Sequence, residues 1–303
     1  MKTFRSNGKL LLTSEYLVLD GAKALAIPTK YGQSLVVNSS DDDTIGWKSF
    51  DEDEKFWYEG VFTFGNGKIL KQVQDDNPIT NRLESILTTA LKLNPEFLSK
   101  SKGYKVSTHL DFNRKWGLGT SSTLINNLAK WANVNPYKLL EKTFGGSGYD
   151  IACAQNDKPI TYQITDGSPI VKEVNFNPSF KEQLFFVYLN KKQNSRDGIA
   201  NYKKNAVINS SIINEVNSIT ETMISCMSLP DFEDLINAHE TIISNIIQLD
   251  PVKSKFFSDY EGSIKSLGAW GGDFILVTSE NNPSDYFKSK GLDTIIPYSE
   301  IIK

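Results

Sequence analysis

The chain has 303 residues and a formal net charge of −3, with 39% hydrophobic and 23% charged residues. That composition is too apolar for a disordered chain, and it carries no broad basic field to hold nucleic acid. Apolar-rich runs such as 10–13 and 242–247 fall far short of the roughly 20 residues that cross a bilayer. No membrane segment is therefore expected.

Two cysteines, Cys153 and Cys226, and two histidines, His109 and His239, stand far from metal-ligand spacing. A structural zinc and a disulfide framework are both excluded. Residues 1–8 hold no apolar stretch ahead of a small-residue cleavage site, so no secretory signal is expected. The expected compartment is the reducing cytoplasm.

In chain order, apolar segments at 9–12 and 16–19 flank Ser14-Glu15, and Asp20-Gly21 is a turn signal. Strands are expected at 24–28 and 33–38, and again at 44–50 and 55–64, where the aromatic content suits an antiparallel pair with one buried face. Gly65-Asn66-Gly67 reads as a turn. Leu83, Ile86, Leu87, Ala90 and Leu91 recur at helical spacing, and 104–112 alternates as a strand. Helices are expected at 120–133, 136–144 and from Asp150, then strands at 160–164, 170–174 and 184–190. One long helix is expected over 198–227 and another over 232–249, followed by a strand at 274–278 and a last helix at 283–290. Strands among long amphipathic helices, without strict βαβ alternation, indicate an α+β class. Turn residues cluster at 166–169 and 177–179, which places the expected domain boundary near 170, with domains 1–170 and 171–303.

Three glycine-rich segments could carry chemistry. Gly117-Leu118-Gly119-Thr120-Ser121-Ser122-Thr123 follows a strand and opens a helix. Glycines admit close backbone approach, and the open N–H groups of a helix N-terminus attract anions. One of the hydroxyls there could reach a phosphate-bound Mg²⁺, although a tight turn with an ordinary cap explains the segment as well. The chain has neither a P-loop nor a complete dinucleotide fingerprint, since Ser122 stands where the third glycine would be. Gly146-Ser147-Gly148-Tyr149-Asp150 sets a carboxylate at a glycine-rich helix entrance, as an N-cap or as a positioned base. Gly268-Ala269-Trp270-Gly271-Gly272-Asp273 precedes a strand.

Together the segments resemble the motifs of the GHMP kinase superfamily. The first motif resembles Gly8–Tyr16 with Val18–Ala26, the second Gly117–Ser122, the mevalonate-kinase element Gly146–Asp150, and the third Gly268–Asp273. They appear in the family's order over residues 8–273. The string Gly148–Ala152 resembles the signature of a bacterial subgroup.

The resemblance implies a two-domain fold. The N-terminal half would be similar to the second domain of ribosomal protein S5, and the C-terminal half ferredoxin-like. It implies an ATP- and Mg²⁺-dependent kinase acting on a hydroxyl or phosphate of a small molecule, with mevalonate and phosphomevalonate kinases the nearest branch. ATP phosphates would lie on 117–123. Asp150 would be the general base, assisted by Lys9. Ser121 would face Mg²⁺, with Thr120 and Ser122 as competitors and Glu141 as a second metal ligand. Glu15, Ser147, Gly148, Gly271 and Gly272 would lie on the substrate side. Arg196, a planar fork suited to carboxylate or phosphate, would hold an acidic acceptor. The same resemblance admits a diphosphomevalonate decarboxylase-like lyase and a non-catalytic nucleotide binder, and leaves monomer and homodimer open. Trp270 stands where the family prefers glycine, so its loop is expected to pack on something.

Overall fold

The computed structural model describes residues 1–65, 68–72 and 77–303. Of the turn expected at 65–67, Asn66 and Gly67 lie outside the described residues. The chain forms two compact units that interleave along the sequence. The first comprises 1–8, 31–114 and 119–155, and the second 9–30, 115–118 and 156–303. These units and the expected domains 1–170 and 171–303 rest on different grounds, spatial contacts in one case and clustered turn residues in the other.

In the first unit, β3 (Thr44–Phe50) pairs antiparallel with β4 (Phe56–Gly65) and parallel with β6 (Gly103–Leu110). β5 (Lys68–Lys71) extends the β4 edge. On the other side, residues 33–40 of β2 (Ala24–Ser40) pair antiparallel with β6. β2 is one continuous strand where the sequence suggested two, because neither Pro28 nor Gly32 interrupts it.

The alternation Leu35, Val37 and Ile45, Trp47 turns apolar side chains to one sheet face. There they meet the stripes of α1 (Pro78–Leu93), α2 (Thr120–Ala132) and α3 (Pro136–Thr143). Leu83, Ile86, Leu87, Ile125, Leu128 and Leu139 are the centre of that core. Asn77 and Asn135 cap α1 and α3, each followed by a proline at the first helical position. The short α4 (Tyr149–Gln155) completes the unit.

The second unit holds a four-stranded antiparallel sheet in the order β10-β11-β9-β12. These are Ile264–Ser266, Phe274–Thr278, Leu184–Tyr188 and Ile295–Pro297. A hairpin of β7 (Ile160–Thr165) and β8 (Ser168–Glu173) pairs through β7 with residues 24–26 of β2. The helices are α5 (Ser195–Asn205), α6 (Ser210–Ser225), α7 (Leu229–Ile247), α8 (Val252–Phe256), α9 (Ser284–Ser289) and α10 (Tyr298–Ile301).

The single helix expected over 198–227 is two helices. Asn209 takes extended dihedrals and accepts the Ile212 N–H, so it starts α6 afresh. Pro230 lies in the first turn of α7, with Ser228 as the cap. No helix among the described residues is long and apolar enough to cross a membrane.

Candidate functional site

In the first unit, α2 begins at Gly119, which is left-handed at φ 100° and supplies no side-chain cap. The first-turn N–H groups are therefore left to be satisfied from outside the helix. The three hydroxyls behave differently. Ser122 is 1% exposed and Thr123 is 0% exposed, and both donate to the Gly119 carbonyl, at 3.0 and 2.9 Å. Thr123 also donates to Gln33 Oε1 at 3.0 Å. These two are bound into the turn. Ser121 is exposed on the same turn, and Thr120 is half-buried.

The donor set fits a phosphate: uncapped amides, the positive end of a 13-residue helix and an outward hydroxyl. Glu141 is exposed on α3 without a hydrogen bond or ion pair among the described residues. No group of three or more His, Cys, Asp or Glu side chains forms a metal-holding cluster among the described residues.

Asp150 is the second residue of α4 and is half-buried. Its Oδ1 accepts the Ile151 N–H at 3.0 Å. The carbonyl of Gly148, a left-handed residue at φ 88°, accepts the N–H groups of Ile151 and Ala152 and so begins the helix; Ser147 is half-buried just before it. The Tyr137 phenol is pushed up to about 12, by burial first and then by the nearby Cys153 and Asp150. That places an aromatic hydroxyl in the electrostatic reach of Asp150.

In the second unit, the Lys9 ammonium donates to the Gly117 carbonyl at 2.8 Å, and the Lys9 N–H donates to the Leu118 carbonyl at 3.0 Å. Gly117 is left-handed, at φ 69°, and a Cβ there would lie 2.5 Å from the Asp273 carboxyl carbon. Only glycine lets the Asp273 carboxylate sit on this turn. Burial raises the Asp273 pKa, while Lys9 and Lys192 draw it back. The Gln193 N–H donates to Asp273 Oδ1 at 3.3 Å, and its side-chain amide donates to the Trp270 carbonyl at 2.7 Å. Gly271 and Gly272 pack against the same glutamine. Trp270, itself left-handed at φ 54°, is 1% exposed and packs with Tyr16, Leu17, Tyr202 and Ile243.

Glu15 lies in the core of the second unit. It is 1% exposed, and its Oε1 accepts a hydrogen bond from Lys265 Nζ at 2.5 Å. Lys265 also donates to Glu240 Oε1 at 3.0 Å and to the Ser266 carbonyl at 2.6 Å. His239 Nε2 accepts the Ser14 N–H at 2.9 Å and lies 3.5 Å from Glu15 Oε2. Burial, then Lys265, holds His239 well below its ordinary range, so the ring is neutral. Burial pushes Glu15 up to about 7, against Lys265. Lys265 stays above its usual value because the two carboxylates outweigh its own desolvation. This network holds Ser14 and Tyr16, at φ 64° and 63°, in a backbone region that L-residues avoid.

Sequence reasoning missed Lys265, Glu240 and Asp273. Asp273 at least closes the third glycine motif. Arg196 is exposed in the first turn of α5, where its N–H donates to the Asn194 cap at 3.1 Å.

No family model matches the chain, and no curated protein does. Solved structures match it along nearly its full length. The Methanococcus jannaschii mevalonate kinase is 14% identical with a TM-score of 0.67, covering 97% of this chain and 96% of that one. The Streptococcus pneumoniae phosphomevalonate kinase in complex with phosphomevalonate and AMPPNP is 15% identical with a TM-score of 0.67, covering 99% and 98%. The Lactococcus lactis galactokinase complexed with galactose is 13% identical with a TM-score of 0.67, covering 95% and 88%. The likeness shows the fold: this chain has the α+β fold of the GHMP kinases.

Proposed function

We propose that the protein is an ATP- and Mg²⁺-dependent kinase that phosphorylates a small molecule. The observation that carries this reading is the α2 N-terminus. Gly119 leaves it uncapped, Ser122 and Thr123 are tied back into the turn, and Ser121 faces outward. That arrangement suits the polyphosphate of a nucleotide, and a fold shared with a kinase crystallised with AMPPNP supports it.

Roles follow from what phosphoryl transfer demands: in-line positioning, charge neutralisation and a proton acceptor. The loop 117–123 binds the phosphates. Ser121 would hold Mg²⁺, which supplies charge neutralisation when bound. Asp150 takes the acceptor proton, and its Ile151 hydrogen bond fixes one carboxylate oxygen. Lys9 stabilises the charge that develops during transfer. In this reading the phosphate loop and Asp150 belong to the domain 1–170, and the third glycine motif to 171–303. The resemblance puts mevalonate- and phosphomevalonate-type acceptors first in any panel, and the galactokinase likeness adds sugars.

The test is ADP release from Mg-ATP across that panel, with Asp150→Asn as the control. Release that depends on one acceptor and falls by roughly 10²–10⁴-fold in the variant supports the reading. Acceptor-dependent release that survives the substitution removes Asp150 from the mechanism. Failure of Mg-ATP to bind removes the kinase assignment.

A further inference from the structure

Within the second unit, a cavity of about 170 Å³ opens beside the third glycine motif. Its polar wall is Tyr16, Gln193, Asn194, Asp197 and Asn201, and its apolar wall is Ile247 and Leu249. Gly198, which has no side chain, and Ala269, with only a methyl, leave the room. A Cβ on Gly198 would meet the Tyr16 hydroxyl at 2.4 Å.

The cavity adjoins the Lys9 cluster through one residue. Gln193 lines it and also donates to Asp273 Oδ1, and the Asp273 carboxylate rests on the turn whose carbonyl accepts from Lys9. The volume is below the usual range of about 300–1,000 Å³ for drug-sized ligand sites, so its occupant is small. The wall is also held in place. The Tyr16 ring stacks on Tyr202 at 5.4 Å, and the Tyr202 hydroxyl donates to Asp20. Tyr16 itself belongs to the segment gripped by the Glu15–Lys265–Glu240 network.

Asp197 is the one charged side chain among the described residues that line the cavity. Its Oδ2 accepts the Asn194 amide at 2.8 Å, and its Oδ1 has no hydrogen bond among the described residues. Arg196, Lys191 and Lys192 do not line it.

We infer that this cavity is the acceptor subsite and that it selects a small acceptor rich in O–H or N–H donors and free of negative charge. The inference rests on the kinase reading. It departs from the acidic acceptor that Arg196 suggested. The physical reason is the sign of the charge. A carboxylate or phosphate on the acceptor would face the exposed Asp197 carboxylate with no cation in the lining. A hydroxyl or ammonium would donate to Asp197 Oδ1, with the side-chain amides of the wall completing its hydrogen bonds.

The test uses three short compounds on one carbon skeleton: a polyol, its amino alcohol and its carboxylic acid. Binding to the full chain is read by calorimetry, separately from ADP release. The polyol or the amino alcohol is expected to bind and the acid is not; which of the two binds more tightly identifies the donor. Asp197→Asn is expected to weaken the amino alcohol on the order of tenfold and to narrow the gap to the acid. Asn201→Leu, a second variant on the same wall, is expected to weaken the preferred compound without changing that gap. Preferential binding of the acid, binding of none of the three, or affinities that both variants leave unchanged overturns the inference. Binding that follows this pattern in a protein that does not bind Mg-ATP would remove the kinase reading and leave only the cavity's preference for uncharged or cationic donors standing.

Discussion

Lys9 and Asp273 meet at Gly117: the Lys9 ammonium holds the Gly117 carbonyl at 2.8 Å, and the Asp273 carboxylate covers its α-carbon. A cation at the first turn of a phosphate loop stabilises charge that appears only during transfer. Lys9→Met is therefore expected to lower kcat by roughly 10²–10³-fold. The KM for Mg-ATP should change less, as steady-state kinetics would show. Gly117→Ala attacks the same turn sterically. Its Cβ would overlap the Asp273 carboxylate, and its φ of 69° is unfavourable for alanine. A loss on the order of 2 kcal/mol or more in denaturant unfolding is expected.

Ser121 and Ser122 are neighbours with opposite environments, so paired alanine substitutions separate binding from folding. Ser121→Ala removes an exposed hydroxyl and should leave the melting temperature unchanged while raising the Mg²⁺ needed for half-maximal turnover on the order of tenfold. Ser122→Ala removes a buried donor to the Gly119 carbonyl. It should cost about 1 kcal/mol of stability and shift the Mg²⁺ dependence little. A Ser122 variant with the larger Mg²⁺ effect would reverse the assignment.

Glu15 makes stability depend on pH. Its carboxyl has an ordinary value of 4.5 and titrates near 7 in the folded chain. The folded state thus keeps a proton that the unfolded state has released. The extra stability is complete below pH 4.5 and is lost as pH rises through 7. The change is about 3 kcal/mol. Glu15→Gln cannot titrate. The difference in unfolding free energy between wild type and Glu15→Gln should therefore move against the wild type from pH 5 to pH 8. A difference that is flat across that interval would mean Glu15 is ionised throughout.

Much of the first unit was legible because local signals and tertiary environment agree there. The spacing of Leu83, Ile86, Leu87 and Ala90 gave α1, and the alternation through Val106 and Leu110 gave β6, since each pattern faces the same core. The glycine motifs marked the turns that the structure holds at positive φ. Less could be read where a long-range partner decides the outcome. Lys265 is an unremarkable lysine in the sequence, and only its burial between Glu15 and Glu240 gives it a role. The short strands β10 and β12 have three residues each and exist through pairing with β11 and β9. The break at Asn209 hides within a stretch whose apolar spacing continues across it, so periodicity alone read one helix where capping makes two. The burial of Glu15 likewise depends on a partner 250 residues away, which its place in the first motif does not reveal.

Trp270 has a thermodynamic consequence. With its indole sunk among Tyr16, Leu17 and Tyr202 and its carbonyl tied to Gln193, the third glycine loop is anchored as the chain folds. The entropy of immobilising that loop is spent before any ligand arrives. Ligand capture at the adjoining cavity would then draw on a rigid receptor, with modest heat-capacity changes and rates set by encounter rather than by loop ordering. Cutting the indole back to a small side chain would move that entropic cost from folding to binding, where it would appear as lost affinity.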